Sequence, residues 1–132
     1  MAEIEHLMRT SLLSRASALV LLIGGVALLF AADDILPRVS PGFPGTAGWV
    51  GQLLGAAWLA IAALNWLNKG ARLGGIYGRP VVLTNAVVYF VSATVLVKIV
   101  SGPALTPVAI VTVVCVLFAG LYAWLLFRGP LD

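Results

Sequence analysis

Asn65, Arg72, Tyr77, Arg79 and Asn85 lie close together in the chain, and they are its best candidates for a binding site. A guanidinium pairs with a phosphate through two parallel N–H donors. Gly74, Gly75 and Gly78, between the two arginines, leave backbone N–H groups free to help hold an anion. Such a set suits a phosphate head group. A plainer reading uses the same residues: the asparagines lock two neighbouring helices, and the arginines mark one side of a membrane. A buried amide costs free energy unless it finds partners. Asn65 and Asn85 should therefore face the protein interior and bond to each other or to backbone carbonyls. Gly74-Gly75-x-x-Gly78 does not read as a nucleotide loop, because the Lys-Ser/Thr pair of a phosphate-binding loop is absent.

Little else could do chemistry. Cys115 is the one cysteine and His6 the one histidine, so no internal disulfide is expected and no metal or haem ligand set forms from them. No Ser-His-Asp set is present, and no apolar run carries an acid, His or Lys at its centre. Small multidrug exporters have this size and span count but keep a Glu inside their first helix, and residues 12–32 contain no acid. The expectation is a chain without catalytic residues, metal or cofactor. Its net charge of +3 comes with no basic patch or RNA-binding signature, so nucleic acid is not an expected partner.

The elements that must position these residues follow from composition. Apolar residues make up 61% and charged residues 10%, against roughly 45–50% and about 25% in soluble domains. A soluble fold could not cover such a chain with polar surface, whereas lipid requires an apolar exterior. Runs long enough to span a bilayer, about 20 residues, occupy about 12–32, 48–67, 80–100 and 104–127. The predicted fold is all-α: a single domain over residues 1–132, an integral membrane bundle of four transmembrane helices. Asp33-Asp34 is expected to end the first span, and Pro37, Pro41, Gly42, Pro44 and Gly45 to fill an irregular connection. Pro80 suits the first turn of the third helix, Ser101-Gly102-Pro103 a tight turn, and Pro107 a place one turn into the fourth helix. Residues 1–11 are expected to extend the first helix into water or, as the alternative, to form a short amphipathic helix at the interface. Phe30-Ala31-Ala32-Asp33 resembles a signal-peptidase site, but three spans follow, so the first run is expected to be retained.

Lys and Arg in short connections set orientation. Arg9 and Arg15 lie in the N-terminal segment, Lys69, Arg72 and Arg79 between the second and third spans, and Arg128 after the fourth. Arg38 and Lys98 mark the two other connections, and Arg38 is offset by Asp33 and Asp34. This predicts N-in/C-in topology in the bacterial inner membrane.

Gly51 and Gly55 form a small-xxx-small pair on the second helix, continued by Ala56, Ala60 and Ala63. Missing side chains let another helix backbone come close: Gly24-Gly25 of the first helix is the expected counterpart within the bundle, and a dimer face is the alternative. Trp49, Trp66, Trp124, Tyr77 and Tyr122 fit an aromatic belt near span ends, while Trp58 is mid-span and reads as packing or as the wall of a lipophilic groove.

The stretch from Gly51-Gln52-Leu53-Leu54-Gly55 through Leu64-Asn65-Trp66 to Gly74-Gly75-Ile76-Tyr77-Gly78-Arg79-Pro80 resembles a group of uncharacterised bacterial four-span membrane proteins. The resemblance covers roughly residues 10–100 and implies architecture, not activity. A similarity to the broader DoxX-like four-helix proteins rests on span count and the basic second connection. With almost no mass outside the membrane, the chain is expected to be an accessory subunit of a larger complex, such as a respiratory or photosynthetic one. Its partners would be other membrane subunits and membrane lipids. The alternative expectation is a binder or carrier of lipid or another lipophilic molecule at Asn65, Arg72, Tyr77, Arg79 and Asn85.

Overall fold

The structure is a computed structural model that describes residues 2–70, 78–100 and 106–128, with side chains described for 11–70, 78–100 and 107–127. Among the described residues it is all-α: α1 spans Ala2–Val39, α2 Gly48–Leu67, α3 Arg79–Val100 and α4 Thr106–Arg128, with a short 3-10 turn at Gly45–Ala47. All four helices are long and apolar enough to cross a membrane. The chain divides into two compact units, Leu12–Lys69 and a second made of Met1–Ser11 with Gly70–Asp132.

The first helix departs from the expected boundaries. Asp33-Asp34 does not end it; the helix runs on to Val39, with Pro37 inside, and breaks at Ala31, whose φ of −127° and ψ of 21° are not helical. The break changes the meaning of the two acids. They stand two and three residues after it, in the first turn of a new helical stretch. There the free N–H groups and the positive end of the helix dipole favour carboxylates. Leaving the helix axis at Ala31 also divides one overlong helix into two pieces. The connection to α2 is then short. Ser40 N–H donates to Leu36 O at 2.8 Å and Phe43 N–H to Ser40 O at 2.9 Å. Gly42 takes a φ of +93°, which a residue with a side chain rarely adopts.

In Leu12–Lys69 the two helices meet along matching stripes. On α1 the buried residues are Ser14, Ser17, Ala18, Leu21, Gly25, Leu28 and Ala32, three or four apart, which is one face of a helix. On α2 they are Gly48, Gly51, Gly55, Ala62 and Asn65. Contacts pair high numbers on one helix with low numbers on the other, from Asn65 with Ser17 to Gly51 with Ala32, so the helices are antiparallel. Their closest approach is at two glycines. A methyl group on Gly55 would stand 2.7 Å from the Gly25 carbonyl oxygen, and one on Gly25 would stand 2.9 Å from the Gly55 carbonyl oxygen. Trp58 packs against Gly24, where a methyl group would come within 2.6 Å of its ring. At the far end, the Asp33 carboxylate fills the place a side chain on Gly48 would take, at the first turn of α2.

In the second unit, α3 and α4 pack side by side. Only residues 101–105 join Val100 to Thr106, a reach of under about 20 Å. That is too short to return along a 22-residue helix of about 33 Å, so these two are also antiparallel. Val81, Val82, Asn85, Ala86, Tyr89 and Ala93 form the buried stripe of α3. Val108, Thr112, Cys115, Ala119, Tyr122 and Leu125 form that of α4. Tyr89 stacks on Phe118 at 4.8 Å between ring centres and on Tyr122 at 5.9 Å. Tyr122 is therefore a packing residue with no exposed surface rather than part of an aromatic belt. It sits four residues from Phe118, on the side of α4 that meets Tyr89. Pro107 is the second residue of α4 rather than one turn in, where its missing N–H leaves no bond unmade.

Candidate functional site

The proposed head-group set divides when its members are followed into the structure. Arg72 and Tyr77 lie outside the described residues. Asn65 belongs to Leu12–Lys69, and Arg79 and Asn85 to the other unit. The two asparagines are fully buried.

Asn65 lies in the last turn of α2, on the stripe that meets α1. Its side-chain amide donates to the hydroxyl of Ser17 on α1 at 3.0 Å. This polar contact ties the two helices together near the end where α2 stops. Three residues earlier on the same stripe of α1, the Ser14 hydroxyl is also fully buried but has no hydrogen-bond partner among the described residues. The two serines therefore differ: one has a partner on the neighbouring helix, and the other loses its hydration without a bond in return. Neither serine stood out in the sequence by type. The signal was positional, since both fall on the apolar stripe of α1.

Asn85 donates instead to its own helix, to Val81 O at 2.8 Å. Thr112 does the same to Val108 O at 2.7 Å. These back-bonds satisfy polar groups inside a span by using carbonyls already present on the helix. Arg79 is exposed at the first residue of α3. A cation there opposes the helix dipole, so its placement does nothing for the helix that carries it.

At the end of α2, Asn68 closes the helix: its side-chain amide donates to Leu64 O at 2.8 Å and its backbone N–H to the same oxygen at 3.1 Å. Lys69 follows, with its ammonium 3.9 Å from the centre of the Trp66 ring. Between α1 and α2 at this end lies an apolar groove of about 320 Å³, lined by Ala18, Leu19, Leu22, Leu59, Ala62, Ala63 and Trp66. Among the described residues, no three His, Cys, Asp or Glu side chains group to hold a metal ion. Cys115 is buried in the α4 stripe as a small apolar side chain.

No known protein family, curated protein or solved structure matches the chain.

Proposed function

We propose that the chain is a non-catalytic accessory subunit of a larger membrane protein assembly. It would sit in the bacterial inner membrane as a multi-pass protein with both termini in the cytoplasm. One observation carries this reading: among the described residues, the buried Ser, Thr and Asn side chains other than Ser14 bond to the helices themselves, across to the neighbouring helix or back to a carbonyl of their own. Asn65 is bonded to Ser17, Asn85 to Val81 O and Thr112 to Val108 O. A transporter or enzyme needs polar groups turned toward a substrate path, whereas these interiors are built for packing. The outward faces support the same reading, since Ile23, Phe30, Leu67, Phe90 and Phe127 are largely exposed. Such faces suit lipid and neighbouring subunits alike, and helices associate in membranes through packing of this kind.

Extraction of native membranes in mild detergent, followed by native electrophoresis and affinity capture of a tagged chain, tests the proposal. The chain should migrate in a species well above its 13.8 kDa, together with the same membrane partners in repeated preparations. Migration solely as a small monomer or dimer would overturn it.

A further inference from the structure

We propose that the groove between α1 and α2 holds an acyl chain of an anionic glycerophospholipid, with Arg15 and Lys69 binding its phosphate. This site is distinct from the subunit role and does not depend on it. At about 320 Å³ the groove falls at the lower end of the range for ligand pockets. Its floor is made by missing side chains: Ala18 and Ala62, each 4% exposed, with Ala63 beside them. Leu19 and Leu22 on α1 and Leu59 and Trp66 on α2 form its walls. From Leu59 to Trp66 is seven residues, so the groove runs about 10 Å along the helices. A hydrocarbon chain makes no hydrogen bonds, and this lining asks for none.

The charges at one end select the lipid. Trp66 is the last lining residue along α2, and the ammonium of Lys69 rests over its ring. That cation–π contact holds a long side chain at the groove's end. Arg15 is exposed on α1, four residues before Leu19 and seven before Leu22, hence on the same stripe and one turn further toward that end. Because α1 and α2 are antiparallel and Ser17 faces Asn65, Arg15 on α1 and Lys69, two residues past the end of α2, stand at the same end. Asp33 and Asp34, the acids whose side chains are described, lie 18 and 19 residues along α1 from Arg15, roughly 27 Å away. Two cations at the end of an apolar groove match a phosphate above an acyl chain. A guanidinium bonds such an oxyanion bidentately. Two cations at the end of the groove favour a lipid phosphate over a transmembrane helix, since acids are rare within membrane-spanning segments.

The test titrates the detergent-purified full chain with phosphatidylglycerol or phosphatidylcholine and counts retained lipid by native mass spectrometry. Each cation near a membrane surface favours an anionic lipid enough for roughly a fivefold effect. Wild type should therefore retain phosphatidylglycerol several-fold more strongly than phosphatidylcholine. The double variant Arg15→Gln/Lys69→Gln should lose that preference. Ala63→Phe, at an exposed position that fills the groove from its open side, should lower retention of both lipids. Phosphatidylglycerol with brominated chains should quench wild type more than Trp66→Phe, since the quenched indole lines the groove. Circular dichroism checks folding, and the charge variant and the quenching stand if Ala63→Phe does not fold. The proposal fails if wild type shows no preference, if folded Ala63→Phe retains lipid as wild type does, or if quenching is unchanged in Trp66→Phe. It also fails if the spectra show a dimer that Ala63→Phe abolishes, because a second copy then occupies the groove.

Discussion

Asn65, Ser17 and Ser14 show how little separates a stabilising polar group from a costly one inside a span. Asn65 donates to Ser17 across two helices, while Ser14, one turn away, is buried without a partner among the described residues. Hydrogen bonds between helices in membranes average about 0.6 kcal/mol and reach about 1–2 in favourable cases. Ser17→Ala and Asn65→Ala should each destabilise the chain by about 1 kcal/mol in detergent-denaturation titrations. The double variant should cost less than the sum, because the two share one bond; strict additivity would show that the bond contributes nothing. Ser14→Ala should be neutral or stabilising, since it removes a buried hydroxyl that makes no bond. If Ser14→Ala cost as much as Ser17→Ala, Ser14 would have a partner in the membrane-embedded protein. The burial of Asn65 and Asn85 was legible from amides placed just inside apolar runs. A backbone carbonyl, which Asn85 uses, was among the expected acceptors; Ser17 was not, because a serine carries no pattern in the sequence that marks it as the acceptor.

At the scale of the helices, spacing was the readable quantity. Length and apolarity located the spans, and the interval of four between Gly51 and Gly55 marked a face without side chains. What composition could not show was where α1 bends. An Asp-Asp pair after an apolar run looks like an end, yet the same pair serves as a beginning when one residue before it leaves helical geometry, as Ala31 does. The contribution of the glycines can be measured. Gly55→Ala places a methyl group against the Gly25 carbonyl and the Leu29 nitrogen, at 2.7 and 3.0 Å. These are backbone atoms, so relief requires the helices to separate. Overpacking of this kind costs about 1–3 kcal/mol, which should appear as a lower midpoint of unfolding. Gly120 is a control within α4, since nothing lies within 4 Å of the added methyl group. Gly120→Ala should be neutral or slightly stabilising through helix propensity. Equal loss in both would mean that the Gly25–Gly55 approach is not what holds α1 to α2. The ring stack of Tyr89, Phe118 and Tyr122 belongs to the same scale. Aromatic pairs contribute about 0.5–1.5 kcal/mol beyond the area they bury, so Phe118→Leu should weaken the α3–α4 pair by about 1 kcal/mol. Tyr122 was misplaced on the sequence because proximity to a span end says nothing about which way a ring turns.

For the whole molecule, the charge distribution makes one claim that the helices alone do not: which side of the membrane each end occupies. Four spans place both termini on the same side. Of the eight basic residues, Arg9, Arg15, Lys69, Arg72, Arg79 and Arg128 belong to the ends and the middle connection. Arg38 and Lys98 belong to the other two connections, and each falls in the last turn of its helix, where the dipole favours a cation regardless of side. Arg79 is the informative case. It starts α3, where a cation is unfavourable to the helix, so helix stability gives no reason for it, whereas the proposed cytoplasmic location of this connection would. The offset of Arg38 by Asp33 and Asp34 drops out of the sequence argument, because Asp and Glu contribute little to orientation; the bias rests on the six-to-two division of basic residues. The expected outcome is cytoplasmic location of both termini. Fusions of a periplasm-activated phosphatase and of a cytoplasm-active fluorescent protein at Met1 and at Asp132 read it directly. Fluorescence without phosphatase activity at both ends is the expected result. Phosphatase activity at both would invert the protein and place six of the eight basic residues outside. Activity at one end only would mean that one of the four apolar helices does not cross, and α1, divided at Ala31, would be the first to re-examine.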